Sequence, residues 1–195
     1  EMPIQYKGIK AEHAAVRNNV GVFDVSHMGE FFISGEKALE LIQKVTVNDA
    51  SKLIVGKAQY SCFCYDDGGI VDDLIIYKLA ENEFMLVVNG ANIEKDFDWL
   101  SSQNTMSAEL VNKSDEYALL AVQGPKSQEV LQKLTEVDLS KVGFYAFTAG
   151  KLAGIEMIIS GTGYTGEKGF ELYFKTENVD VKSVWDAIFE AGEEF

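Results

Sequence analysis

Proline, cysteine and histidine are nearly missing from this chain of 195 residues, with two of each. Two prolines and no low-complexity stretch leave nothing that marks a linker, so the chain is expected to form tightly packed units. Cys62 and Cys64 are too few for a disulfide framework. Their spacing puts both on one face of a strand, as small buried side chains of a reducing compartment. His13 and His27 stand far apart in sequence, and no metal-ligand cluster stands out. Positive charge is also scarce: 17 Lys and Arg against 31 Asp and Glu, a formal net charge of −14. That balance disfavours nucleic acid or an anionic membrane surface as a partner. No apolar run reaches the length of a membrane span, and no signal peptide is visible. The chain opens on Glu1-Met2-Pro3, so its natural start, with any targeting segment, is expected upstream.

What is present is ordinary for a globular protein, 47% hydrophobic and 25% charged residues, at a length suited to one large domain or two small ones. Ile9 to Asn19 reads as a helix, Glu30 to Ser34 as a strand and Lys37 to Val45 as a helix through Ala38, Leu41, Ile42 and Val45. Strands follow at Ala58–Tyr65, Ile70–Leu79 and Glu83–Asn89, with Asp66-Asp67-Gly68-Gly69 as the first turn. Ile93, Phe97 and Leu100 mark a helix, and Met106–Asn112 a closing strand. This β-α-β-β-β-α-β unit is an α+β layer with an antiparallel sheet. A second unit has a strand at Tyr117–Val122, a helix with Pro125 in its first turn, strands at Tyr145–Phe147, Ile155–Ile159 and Gly169–Lys175, and a helix using Val181, Val184, Trp185 and Ile188.

Gly161, Gly163 and Gly166 match the dinucleotide pattern G-x-G-x-x-G, but that fingerprint needs a helix to follow. Here Phe170, Leu172 and Phe174 alternate with Glu171 and Tyr173, which is strand period. The loop therefore joins two strands, and no kinase-type partner motif accompanies it, so nucleotide binding is disfavoured. Glu171 faces away from the core, into solvent or into a cleft. The plain alternative is a hairpin whose glycines supply positive φ.

Asp72-Asp73 interrupts a strand otherwise written for burial. Neighbouring strand residues point to opposite faces, so without a bulge the two carboxylates cannot form a chelating or glycosidase-type pair. One is expected at an interior or cleft, where a carboxylate must be hydrogen-bonded, paired or shifted in pKa. A solvated edge strand is the alternative. Asn89 either orients a polar ligand or ends its strand through Asn-Gly turn chemistry. Tyr60, Tyr145 and Tyr164 are candidates for stacking on a flat heterocycle, or half-buried packing residues. Residue chemistry alone stops there, short of a reaction.

Five motifs in order carry a resemblance: Val22-Phe-Asp-Val-Ser-His-Met-Gly-Glu30, Gly68-Gly-Ile-Val-Asp-Asp-Leu74, Val87-Val-Asn-Gly-Ala-Asn-Ile-Glu-Lys-Asp96, Gln123-Gly-Pro125, and Thr162-Gly-Tyr-Thr-Gly-Glu167 through Gly169-Phe-Glu171. Together they resemble the aminomethyltransferase, or T-protein, family of the glycine cleavage system. The resemblance implies transfer of a methylene group from the aminomethyl-lipoyl arm of H-protein to tetrahydrofolate, with release of ammonia and no need of metal or nucleotide. It places the catalytic aspartate at Asp73 and the pterin-gripping glutamate at Glu171. Tyr60, Asn89, Tyr164, Val87 and Met28 fall at folate-binding positions. Lys168 stands where the family usually has an acid, and Gly161 where it often has arginine.

The same resemblance implies two packed α/β-sandwich-like units, ferredoxin-like or Greek-key, with mainly antiparallel sheets. Residues 1–28 and 115–195 would form a discontinuous folate-binding domain around an insert of residues 29–114. Family members continue well past Phe195 into a third, β-rich domain, so the chain is expected to be the N-terminal part of a longer protein. A cytoplasmic location is implied for a bacterial protein and a mitochondrial one for a eukaryotic protein. The alternatives are another tetrahydrofolate-dependent demethylase or dehydrogenase folate domain, or a non-catalytic folate-binding module.

Overall fold

The structure, a computed structural model, describes residues 3–195; the opening Glu1-Met2 lies outside the described residues. The chain divides into two compact units. One comprises the residues up to Val25 together with Ala118–Phe195, and the other is Ser26–Tyr117.

The first segment supplies α1 (Ile9–Asn18) and β1 (Gly21–Asp24). The inserted unit then runs β2 (Gly29–Ser34), α2 (Ala38–Val45), β3 (Ala58–Cys64), β4 (Ile70–Ala80), β5 (Glu83–Val88), α3 (Ile93–Gln103) and β6 (Glu109–Asn112). The chain returns to its first unit with β7 (Tyr117–Gln123), α4 (Ser127–Gln132), β8 (Phe147–Leu152), β9 (Ile155–Ser160), β10 (Gly169–Lys175) and α5 (Val181–Ala191).

In the inserted unit the five strands lie in the order β3-β4-β5-β2-β6, every neighbour antiparallel. Its core forms because α2 buries Leu41, Ile42 and Val45 on one stripe and α3 buries Leu100. Both stripes meet Phe31, Ile33, Leu74, Ile76, Leu86 and Val88 of the sheet. Burying each such side chain stabilises the unit by about 1.5–3 kcal/mol. The other unit orders its strands β1-β7-β10-β9-β8. Phe170, Leu172 and Phe174 pack there with Val130, Leu131, Val184 and Ile188 of α4 and α5.

Three element boundaries differ from the sequence reading by two residues or more, each for a local reason. β6 begins at Glu109, not Met106, because Ser107 has positive φ and the Asn104 side chain brackets Ala108 with two hydrogen bonds. Tyr145 also has positive φ, in a turn tied to Gly161, so β8 begins at Phe147 and extends to Leu152. Pro125 precedes α4 by two residues, since Gly124 turns the chain at φ +131°.

The two units share a written pattern. Gly35-x-Lys37-x-x-Glu40-x-x-Gln43-Lys44-x-Thr46-x-x-Asp49-x-Ser51-Lys52 recurs as Gly124-x-Lys126-x-x-Glu129-x-x-Gln132-Lys133-x-Thr135-x-x-Asp138-x-Ser140-Lys141. The copies make matching contacts. Gln43 accepts from the Ala50 amide at 2.9 Å, and Gln132 from the Leu139 amide at 3.0 Å. Asp49 accepts from the amide and hydroxyl of Ser51, and Asp138 from those of Ser140. Strand order matches too, with β3-β4-β5-β2 corresponding to β8-β9-β10-β7. The fifth strand is β6 beside β2 in one sheet and β1 beside β7 in the other.

Candidate functional site

Polar side chains gather into one cluster in each unit. In the inserted unit, β4 is second from the sheet edge, so the acidic pair does not lie on an edge strand. Phe63 pairs with Asp72, and Cys64 pairs with Ile70, which leaves Val71 as an extra residue in a bulge beside the pair. The Val71 carbonyl accepts from Lys95 Nζ at 2.7 Å.

Beyond the bulge the strand alternates. Asp72 shares the face of Leu74 and Ile76 and meets α3; Asp73 lies on the opposite face, that of its partner Cys62. Tyr60 donates its hydroxyl to Asp73 Oδ2 at 2.7 Å. Asn89 follows β5 and does not form a hairpin turn: the chain continues through the 3-10 turn Gly90–Asn92 into α3. Its Nδ2 reaches Asp72 Oδ1 at 2.9 Å and Asp73 Oδ1 at 2.7 Å. The two carboxylates occupy different faces and share one donor.

Val87 lies on the Asp73 face, opposite Glu30 and Ile75, and is buried. Met28 lies just before β2 and is half-buried. Cys62 and Cys64 are free and partly exposed, which corrects the expectation of buried side chains. Burial, then the neighbouring Cys64 and the two aspartates, push the Cys62 thiol up.

In the other unit Glu171 stands on β10, turned away from the core residues Phe170 and Leu172. Its Oε2 accepts from Thr162 Oγ1 at 2.5 Å and from the Tyr173 hydroxyl at 2.9 Å. Ser160 shares a further hydrogen bond with Thr162. Tyr173 is 1% exposed, so the face opposite the core is not simply solvated. Tyr145 is pushed up by burial and by the charge of Glu171. Tyr164 is fully exposed at the loop tip.

The glycines of that loop serve close approach more than backbone handedness, which corrects the positive-φ expectation. Of those between β9 and β10, only Gly166 has positive φ. A Cβ on Gly163 would strike the amide of Gln123, and one on Gly169 would come within 2.5 Å of it. Gln123, 1% exposed, donates to the carbonyls of Thr162 and Phe170 and accepts from Thr165 Oγ1. Arg17 adds a contact to the Thr165 carbonyl and an ion pair with Glu167.

The structure thus brings Tyr60, Asp73 and Asn89 together, while Glu171 and Tyr164 belong to the other unit. Sequence reasoning missed Asp96, although it falls with Ile93, Phe97 and Leu100 on one helical stripe where an acid is out of place. It also missed Gln123 and Thr162, whose partners lie tens of residues away or on the neighbouring strand, and Tyr173, which meets Glu171 two residues along β10. Among the described residues, no group of three or more His, Cys, Asp or Glu is placed to hold a metal. No helix there is long and apolar enough to cross a membrane.

Fold and clusters define an α+β protein of two related units, each carrying a carboxylate fixed by neutral donors. The chain belongs to the GCVT N-terminal domain family, whose pattern matches residues 1–195. It is 60% identical to an aminomethyltransferase of Flavobacterium psychrophilum and 57% identical to one of Bacteroides thetaiotaomicron, over all of this chain and 54% of each relative. The chain therefore spans about half the length of the curated relatives it matches. The glycine cleavage system aminomethyltransferase T of Bartonella henselae superposes with a TM-score of 0.86 at 31% identity, over 96% of this chain and 50% of that one. Heterotetrameric sarcosine oxidase of Corynebacterium sp. U-96 shares the fold alone, with a TM-score of 0.66 at 19% identity, over 95% and 91% of the two chains.

Proposed function

We propose that this chain is the folate-binding part of an aminomethyltransferase of glycine cleavage. That enzyme would pass the methylene of the aminomethyl group on lipoylated H-protein to tetrahydrofolate. The products would be methylenetetrahydrofolate, ammonia and dihydrolipoyl H-protein. The observation that carries the reading is the Tyr60–Asp73–Asn89 arrangement, a carboxylate held by two neutral donors on a partly open sheet face. Relatives named aminomethyltransferase and the T-protein neighbour support the class.

The donor set fits a folate. A pterin edge presents N–H groups, and a carboxylate accepts two of them. Glu171 is that acceptor, aimed by Thr162 and Tyr173. Asp73 supplies negative charge and a proton acceptor where positive charge develops during transfer, which lowers the barrier if the carboxylate is already oriented. Tyr60 and Asn89 provide that orientation without neutralising it. Tetrahydrofolate, when bound, supplies the nitrogen that receives the carbon. The protein would work in a bacterial cytoplasm or a mitochondrial matrix, with H-protein as its macromolecular partner.

The test uses the whole protein. Calorimetry with tetrahydrofolate is expected to show binding that Glu171→Gln weakens by about tenfold or more, the loss of a charge-assisted hydrogen-bond pair. Ammonia release from aminomethyl-loaded H-protein is expected to fall about a hundredfold or more in Asp73→Asn while folate binding persists. Folate binding without any transfer by the wild type would favour a non-catalytic folate module. Unchanged binding by Glu171→Gln would remove the site assignment.

A further inference from the structure

Asp96 lies on the first turn of α3, is fully buried, and neither carboxylate oxygen receives a hydrogen bond from a donor among the described residues. Lys95 Nζ forms a long ion pair with Oδ1 at 3.4 Å, while its 2.7 Å hydrogen bond goes to the Val71 carbonyl. The group Asp96 does face is Asp72, with which it is in hydrogen-bonding contact. Two carboxylates in such contact are acceptor against acceptor, and the arrangement holds only if one carries a proton.

The surroundings decide which one. Asp72 already accepts from Asn89 Nδ2 at 2.9 Å, from Asn92 Nδ2 at 2.8 Å and from the Asp73 amide at 3.0 Å. Three donors favour its charged form. Asp96 has only the offset Lys95, so the proton belongs there.

We propose that Asp96 is a positioning residue of the Asp73 site: its carboxyl proton bridges to Asp72, and the bridged Asp72 holds the Asn89 amide that in turn aims Asp73. The groups facing the bridge are Asp72 of β4 and Lys95 of α3, with Asp73 and its partner Cys62 of β3 on the opposite face of the sheet. Burial, then the contact with Asp72 and its charge, push Asp96 up to about 7. Burial opposes ionisation of Asp72 too, but its hydrogen bonds from Asp96, Asn92 and Asn89 outweigh that and hold it below the ordinary range. Above about pH 7 Asp96 ionises, the bridge becomes a repulsion, and Asn89 loosens.

An asparagine at this position can donate to Asp72 at every pH, while an alanine cannot donate at all. The effect on transfer rests on the function proposed above; the proton and the hold on Asn89 do not. The measurement is hydrogen exchange and line width of the Asn89 side-chain amide, in the whole protein with selectively 15N-labelled asparagine. Slow exchange at pH 6 is expected to rise about tenfold by pH 8 beyond the intrinsic pH dependence. Asp96→Asn should keep exchange slow at both values, and Asp96→Ala should be fast at both. Methylene transfer should follow the same pattern, with the fall between pH 6 and 8 abolished in Asp96→Asn. Equal behaviour of the Asn and Ala variants, or an Asn89 amide indifferent to both, would overturn the proposal. Should the protein transfer no methylene, the Asn89 amide still decides it.

Discussion

The two units start from one pattern and diverge where chemistry is placed. In both, a glycine turn leads into a helix whose glutamine satisfies an amide of the following 3-10 turn, and an aspartate caps that turn. Helices pack on one face of a sheet with the same strand order. The difference begins just before the repeated glycine. Ser34 there makes an exposed hydrogen bond to Glu109, whereas Gln123 is buried and props the loop between β9 and β10. The matching connection between β4 and β5 is the short turn at Glu81-Asn82, which needs no prop. Conversely, the bulge, acid pair and Asn89 belong to the inserted unit alone. Repeated residues carry the scaffold, and unrepeated ones carry the sites.

The largest effects should come from the unrepeated residues. Asp73→Asn is expected to lower methylene transfer by about a hundredfold or more, with folate affinity little changed; a milder loss would move the reacting carboxylate elsewhere. Next comes the loop. Gly163→Ala forces a Cβ into the Gln123 amide and should destabilise by about 1–3 kcal/mol. Gln123→Ala should lose a similar amount through unsatisfied carbonyls, while Ser34→Ala, at the matching position, should stay within about 0.5 kcal/mol. Chemical denaturation of the three variants checks the asymmetry, and equal losses at positions 34 and 123 would break the comparison.

Glu30 tests the inserted unit through pH. It is 1% exposed, its Oε2 lacks a hydrogen-bond partner among the described residues, and burial pushes it up to about 8. The unfolded chain releases this proton near 4.5. Between those values the folded protein binds a proton that the unfolded chain has lost, so stability falls as pH rises through the window and levels off above 8. Glu30→Gln should flatten that fall, on the order of a few kcal/mol across the window, read as unfolding midpoints at pH 5, 7 and 9. A slope unaltered in the variant would place the titration on another group, Asp96 being the next candidate. The smallest effect concerns the scaffold. Asp49→Ala and Asp138→Ala should lower the midpoint by equal, small amounts, since both caps are exposed copies of one arrangement.

Much of this was legible in the residues. Alternation at Phe170, Leu172 and Phe174 placed Glu171 off the core, and the unbroken strand period after the glycines made their loop a connection between two strands. Those inferences succeed because side-chain period is set within a single element. The acid pair was legible as an anomaly but not as an arrangement. Alternation put Asp72 and Asp73 on opposite faces, correctly, yet gave no hint that one amide would serve both. Asn89 does so from the end of a neighbouring strand, sixteen to seventeen residues away.

By itself the sequence determined the helical or strand period of most segments, the core faces of β10 and of α2 to α5, and the five motifs that carry the resemblance. The first two follow from local spacing and from which side chains water rejects; the motifs carry the family only by resemblance. Tertiary structure alone decided why the loop glycines are required, which donors hold Asp73 and Glu171, and where the proton of the Asp72–Asp96 pair resides. Those depend on distances between residues far apart in the chain. A carboxylate's charge and aim are properties of the neighbours that folding brings to it.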